Sequence, residues 1–214
     1  MAFLQIQFFS AALNVASTVN VILPEANQGI GMGASKDERL PKVLYLLHGY
    51  SDDHSIWMRR TSVERYAANH NLAIIMPAVN HSFYCNEVYG ENYWDYVSDE
   101  LPRTMQRFLR LSSKPEDTYV AGLSMGGYGA MRLALTHPER FAAAASFSHI
   151  LLYGIVRFFN LFRHAAHFCD WHRANGYAHA HLERNSENQI IVEFVADRAG
   201  IRSRNRNEES CFVR

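Results

Sequence analysis

The sequence predicts an α/β domain whose mostly parallel sheet carries helices on both faces. Three observations predict it. The runs "KVLYLLHG" (42–49) and "LAIIMPAV" (72–79) are almost wholly apolar, as central strands are when both faces are covered. Strand-like and helix-like segments then alternate along the chain, the pattern of strand–helix–strand crossovers. A Gly-x-Ser-x-Gly stretch, Gly122-Leu123-Ser124-Met125-Gly126, stands where one such strand would pass into a helix.

Taken in order, "FLQIQFF" and "STVNVILP" read as two strands near the start. A Gly-rich polar loop follows between Pro24 and Pro41. Its "GIGMG" has neither the lysine nor the strand-to-helix setting of a phosphate loop and reads as a plain connection. The 42–49 run is the next strand. "TSVERYAANHN" reads as a helix, with Thr61 and Glu64 at capping-box spacing. After the 72–79 strand, "ENYWDYVSDELPRTMQRFLRL" has helical period, and Pro102 either kinks it or starts its second half. "DTYVAG" is a strand, "MGGYGAMRLALTHPE" a helix and "RFAAAASFS" a strand.

At 214 residues with 48% hydrophobic and 20% charged residues, the chain suits a globular domain with a real core. A formal net charge of zero argues against a nucleic-acid or anionic-membrane partner, since both need clustered basic charge. Three unpaired-looking cysteines, Cys85, Cys169 and Cys211, fit a reducing compartment. The first twenty residues hold no Lys or Arg and are interrupted by Gln5, Gln7 and Asn14, so they read as strands and not as a secretory leader. The apolar run 150–162 contains Arg157 and is too short to span a bilayer. A cytoplasmic protein is expected.

The Gly-x-Ser-x-Gly stretch is the candidate active site. A serine on a sharp strand-to-helix turn is lifted above the sheet edge, and the residues two before and two after it pack together, so both must be glycine. The helix start supplies free amides and partial positive charge. The Met125 amide is therefore a candidate oxyanion donor. A second donor is assigned to the Tyr50 amide, on the loop His48-Gly49-Tyr50 that ends the 42–49 strand. His48 reads as a buried hydrogen-bonding histidine, with a catalytic base as the alternative. Trp57, Phe83, Tyr84, Tyr93 and Trp94 are candidates for an acyl pocket or for core.

With these residues in hand, "LPKVLYLLHGYSDDHSIWMRRTSVERYA", "NLAIIMPAVNHSFYCN", "YWDYVSDELPR" and "TYVAGLSMGGYGAMRLALTHPERFAAAASFS" resemble the putative esterase family of α/β-hydrolases. The likeness is to tributyrin esterases, with esterase D and S-formylglutathione hydrolase as relatives, and covers about residues 1–148. It implies an α/β-hydrolase fold and hydrolysis of small short-chain acyl esters by Ser, Asp and His, with no metal or cofactor. It implies Ser124 as the nucleophile and the Met125 and Tyr50 amides as the oxyanion hole. A thioesterase of the S-formylglutathione hydrolase kind, or a non-catalytic binding module on the same fold, are the alternatives.

Residues 149–214 differ in character. They contain no Pro, Lys, Thr or Met, although all four occur upstream. A slipped reading frame, a fused unrelated end or an unusual second domain would produce this. The sheet is accordingly expected to be truncated or aberrant after residue 148, with the edge of the "RFAAAASFS" strand unpaired. The family's triad Asp and His have no matching residues, so impaired turnover is expected. In the tail, 189–196 reads as a strand with Asp197 at its end, a candidate replacement acid or a solvated carboxylate. No histidine follows it, so the order Ser, Asp, His cannot be completed. His164, His167, Cys169 and His172, with His179 and His181 beyond, fit no standard zinc spacing, and no metal is expected.

Overall fold

The computed structural model describes residues 1–25 and 38–147, together with the backbone of two further strands, His179–Arg184 and Ile190–Val195. The Gly-rich stretch 29–33, the His164–Cys169–His172 cluster and Asp197 lie outside the described residues.

Eight strands form one sheet in the order β1-β2-β4-β3-β5-β6-β8-β7. They are β1 (Ala2–Ser10), β2 (Val15–Leu23), β3 (Lys42–Leu47), β4 (Leu72–Pro77), β5 (Thr118–Leu123), β6 (Ala143–Phe147), β7 (His179–Arg184) and β8 (Ile190–Val195). The central strands β4, β3, β5 and β6 are parallel, and the flanking strands are antiparallel. Chain order runs from β3 outward to β4, then returns to β5 on the other side of β3. That reversal opens a crevice at the carboxyl ends of β3 and β5, where open α/β sheets bind ligands.

The apolar runs read from the sequence follow from two covered faces. Val43, Tyr45 and Leu47 of β3 face one core with Ala73, Ile75, Val120 and Ala144. Leu46 faces the other with Ile74, Met76 and Ala121. The helix α5 (Met125–Thr136) packs on the first face through Met131, Leu133, Ala134 and Leu135. No helix among the described residues is long and apolar enough to cross a membrane.

Three details differ from expectation. The "TSVERYAANHN" helix shrinks to α2 (Val63–Ala67), and a separate turn, α1 (Ile56–Arg60), precedes it. Thr61 Oγ1 accepts from the Val63 amide at 3.2 Å and donates to the Trp57 carbonyl at 2.5 Å, so the hydroxyl joins the two helices and forms no reciprocal box with Glu64. The long helical segment divides into α3 (Tyr93–Asp95), a π-turn over Tyr96–Glu100 and α4 (Leu101–Phe108). Pro102 has no N–H to give the Ser98 carbonyl four residues back. Arg140 Nη1 donates to that carbonyl at 2.6 Å instead, tying the helix to the start of β6.

The third difference is at the far edge. The sheet does not stop at β6, because β8 pairs with it antiparallel and β7 covers β8. The edge expected to be open is hydrogen-bonded.

Candidate active site

β5 and α5 meet at Ser124, whose backbone lies at φ 55° and ψ −117°. Only glycine adopts this region readily, and another residue there is strained by on the order of 1–3 kcal/mol. The strain is held by close packing on both sides. A Cβ on Gly122 would lie 2.2 Å from the Gly126 carbonyl oxygen, and one on Gly126 would lie 2.3 Å from that of Leu47. The elbow is thus wedged against the end of β3.

β3 and β5 are in register Leu47↔Gly122, which brings the loop 48–50 beside the serine. A Cβ built on Gly49 would sit 3.6 Å from Ser124 Cβ. Gly49 has no positive φ, and the nearest atom to an added Cβ is an Asp52 carboxylate oxygen at 3.1 Å, so the demand for glycine is weaker here than at the elbow.

His48 is buried, and its ring is fully committed. Nδ1–H donates to the Gly49 carbonyl at 2.7 Å. Nε2 accepts from the Val79 amide at 3.1 Å and therefore carries no proton. The Tyr84 hydroxyl donates to the His48 carbonyl at 2.9 Å. Burial, the largest effect, holds the imidazole below its ordinary pKa, against the opposing Gly49 hydrogen bond and the carboxylates of Asp52 and Asp53. His48 thus ties the loop 48–50 to the end of β4 and has no free nitrogen for proton transfer.

A pH dependence follows. A depressed folded-state pKa means that the unfolded chain takes up this proton first on acidification. The stability from neutral His48 is fully present above its unfolded value of about 6.5. It is lost as pH falls from there towards the lower folded value. Urea titrations of wild type and His48→Asn between pH 8 and 5 should show the wild type losing stability more steeply below about pH 6.5. Parallel slopes would contradict this.

The aromatic candidates separate into two groups. Tyr84 is fully buried, and its ring fills the space where a Gly129 side chain would be. Tyr93 is also buried and accepts from Asn80 Nδ2 at 2.6 Å. Trp94 stacks on His137 and lies under the Arg132 guanidinium, 4.0 Å from its ring centroid. These three are structural. Trp57 bonds the Leu47 carbonyl at 3.2 Å and meets Phe147 edge-on, at the elbow's end of the sheet. Phe83 is half-exposed against Tyr50 and Tyr128. Tyr50 and Tyr128 as ring-bearing residues, and His81 stacked on Tyr50, were not singled out by sequence. The position of Tyr128, one helical turn after Ser124, was the available signal.

Asp197 lies outside the described residues, but the strand leading to it is placed. β8 runs antiparallel to β6, with Ile191 opposite Phe147 and Val195 opposite Ala143. Phe147 is beside Leu123 and Ala143 beside Tyr119. Val195 therefore sits four residues of strand, roughly 13 Å, from the elbow's end of the sheet. The strand read from 189–196, with Asp197 as a candidate acid at its end, runs away from Ser124 over Ile190–Val195. Among the described residues, no metal-holding group of His, Cys, Asp and Glu is present.

Comparison with known proteins bears on this geometry. A family model described as "Putative esterase" matches residues 10–196. An acetyl esterase of Caldicellulosiruptor saccharolyticus is 31% identical over 153 residues, covering 71% of this chain and 58% of the relative. Among solved structures, the chain is similar to FphF, a fluorophosphonate-binding serine hydrolase of Staphylococcus aureus in a substrate-bound state. Identity is 41% and TM-score 0.59, over 66% of this chain and 54% of that one. It is also similar to the apoenzyme of S-formylglutathione hydrolase (FrmB) from Staphylococcus aureus, at 42% identity and TM-score 0.56 over 66% and 54% of the two chains. The chain spans little more than half the length of these relatives. With the family model covering most of its residues, around a strained serine between two tightly packed glycines, the chain belongs to the Putative esterase family and has the α/β-hydrolase fold.

Proposed function

We propose that this chain carries the nucleophile and oxyanion hole of a serine carboxylesterase for short-chain acyl esters of the tributyrin type. The observation that carries the reading is the backbone of Ser124, held in a glycine-like conformation at the carboxyl end of β5. Strain of this kind persists where the surroundings over-determine it, and it clusters at functional sites. In this reading the Ser124 hydroxyl gives its proton to a base and bonds the ester carbonyl carbon. The carbonyl electrons move to oxygen, which the Met125 and Tyr50 amides stabilise. The alcohol leaves with a proton, and water then hydrolyses the acyl-serine.

The base and acid are unassigned in this proposal, and turnover is accordingly impaired. His48 is engaged at both ring nitrogens. No described side chain hydrogen-bonds the Ser124 hydroxyl, and β8 leads away from it. The reading divides the chain into an esterase-like part to residue 148 and an atypical remainder, and places it in the cytoplasm.

The test uses a fluorophosphonate, the probe class named for the similar FphF. The expected result is an adduct on Ser124, formed slowly and absent from Ser124→Ala, with weak hydrolysis of p-nitrophenyl acetate. Ligand binding without any adduct would favour a non-catalytic module instead. Faster release of formate from S-formylglutathione than of acid from simple esters would move the assignment to the thioesterase alternative.

A further inference from the structure

β1 stands at the end of the sheet, with β2 as its one neighbour among the described residues. Its outer edge is therefore a row of backbone N–H and C=O groups outside any ladder. Proteins blunt such an edge with a charge, a proline, a bulge or a very short strand. β1 has none of these. It is nine residues long and pairs with β2 at nine consecutive positions, from Ala2↔Leu23 to Ser10↔Val15, without a bulge. Residues 1–23 contain no Asp, Glu, Lys, Arg or Pro. On one face Phe3, Gln5, Gln7 and Phe9 stand in solvent, and the two rings are 50% and 66% exposed. On the other face Leu4, Ile6 and Phe8 pack against the core yet stay only half-buried. Phe108, half-exposed, meets Phe8 edge-on at 6.3 Å and widens the apolar surface there.

The order of residues along this edge, "FLQIQFF", is close to symmetric about Ile6. A strand that pairs antiparallel with its own copy across a two-fold axis sets residues equally far from the axis opposite each other, on the same face. With the axis at Ile6, Phe3 lies opposite the partner's Phe9, Gln5 opposite the partner's Gln7, and Leu4 opposite the partner's Phe8. Rings meet rings and amides meet amides on the exposed face, and apolar side chains meet on the other. Directly opposed pairs of this kind stabilise a sheet. A shift of two residues in either direction puts a glutamine opposite a phenylalanine on the exposed face. The edge is thus complementary to itself in one register.

We infer that the outer edge of β1 is an interaction surface for a second copy of this chain, which pairs with it antiparallel about Ile6 and joins two eight-stranded sheets into one. The contact covers Phe3 and Phe9, completes the burial of Leu4, Ile6 and Phe8, and satisfies the outer backbone groups of both strands. It does not depend on the role of Ser124.

The test is sedimentation equilibrium of the full chain over a wide range of concentration. The expected result is a reversible monomer–dimer equilibrium without larger species, because a two-fold contact between identical edges closes on itself. Two double variants then read the register. In Gln5→Lys/Gln7→Lys, lysine faces lysine at both opposed positions. In Gln5→Lys/Gln7→Glu, lysine faces glutamate at both. Each variant loses the same Gln5 contacts with Asn20 and His54, and both positions face solvent, so circular dichroism should show both folded. The dissociation constant of the first is expected to be about tenfold weaker than that of the second, from two like-charge pairs against two opposite-charge pairs. A wild type that stays monomeric throughout would overturn the inference. So would equal dissociation constants for the two variants, which would put the contact in another register or on another surface. Assembly beyond two copies that neither variant alters would overturn it as well.

Discussion

Ser124→Gly is expected to raise the thermal stability of the chain while removing its fluorophosphonate adduct. The serine occupies φ 55°, ψ −117°, a conformation that glycine adopts without steric conflict. Relief of on the order of 1–3 kcal/mol is opposed by the greater freedom of glycine in the unfolded chain, roughly 0.5–1 kcal/mol. The net gain is about 1 kcal/mol, or about 2–4 °C in a domain of this size. No described partner loses a hydrogen bond when the hydroxyl goes. Differential scanning calorimetry beside mass spectrometry of the labelled protein reads both effects. A lower melting temperature for the glycine variant would mean that the hydroxyl is held by a stabilising contact.

Gly126→Ala should have the largest destabilising effect. The added Cβ would lie 2.3 Å from the Leu47 carbonyl oxygen, 2.6 Å from its carbon and 2.7 Å from the His48 carbonyl oxygen. These are backbone atoms of β3 and its exit, and they cannot swing aside as a side chain can. α5 or the loop 48–50 must move, at a loss of about 3 kcal/mol. Since both sides of the proposed site ride on these elements, a displacement near 1 Å would also slow labelling of Ser124 by about 10²-fold. Gly49→Ala is the contrast, because the one tight neighbour is a side-chain oxygen of Asp52 at 3.1 Å and the others are in ordinary contact, so a loss below about 1 kcal/mol is expected. Urea unfolding of the two variants beside wild type, with labelling rates, checks the pair. Equal losses would show that β3 and α5 are less tightly wedged than their spacing indicates.

Much of this architecture was legible in the amino-acid order. β3 and β4 announce themselves because both faces are covered, so every position is apolar. β5 and α5 announce themselves because only glycine fits at 122 and 126. Membership of the Putative esterase family was legible for the same reason, since the residues that carry it are under local steric constraint. Less visible were features set by contacts distant in sequence. The π-turn at Tyr96–Glu100 and the capture of the Ser98 carbonyl by Arg140 depend on β6 lying beside that helix. Tyr84 and Phe83 are adjacent aromatics of similar β propensity, yet one is fully buried and the other half-exposed. The Tyr84 hydroxyl finds a buried carbonyl at His48, whereas Phe83 points to the rings of Tyr50 and Tyr128.

The run "QIIVEFVA" shows where the boundary falls. Its β-branched and aromatic residues determine that it is a strand, which the structure bears out over Ile190–Val195. They carry no information on its direction, because alternation reads the same both ways. Direction comes from strand pairing, which sets β8 antiparallel to both β7 and β6. By itself the sequence determined the parallel centre of the sheet and the serine elbow, because backbone sterics and two-sided burial act within a few residues. Only the tertiary structure decided which rings stand beside the elbow, that His48 is locked in place, and that β8 runs away from Ser124. Those outcomes depend on pairings between segments far apart in the chain.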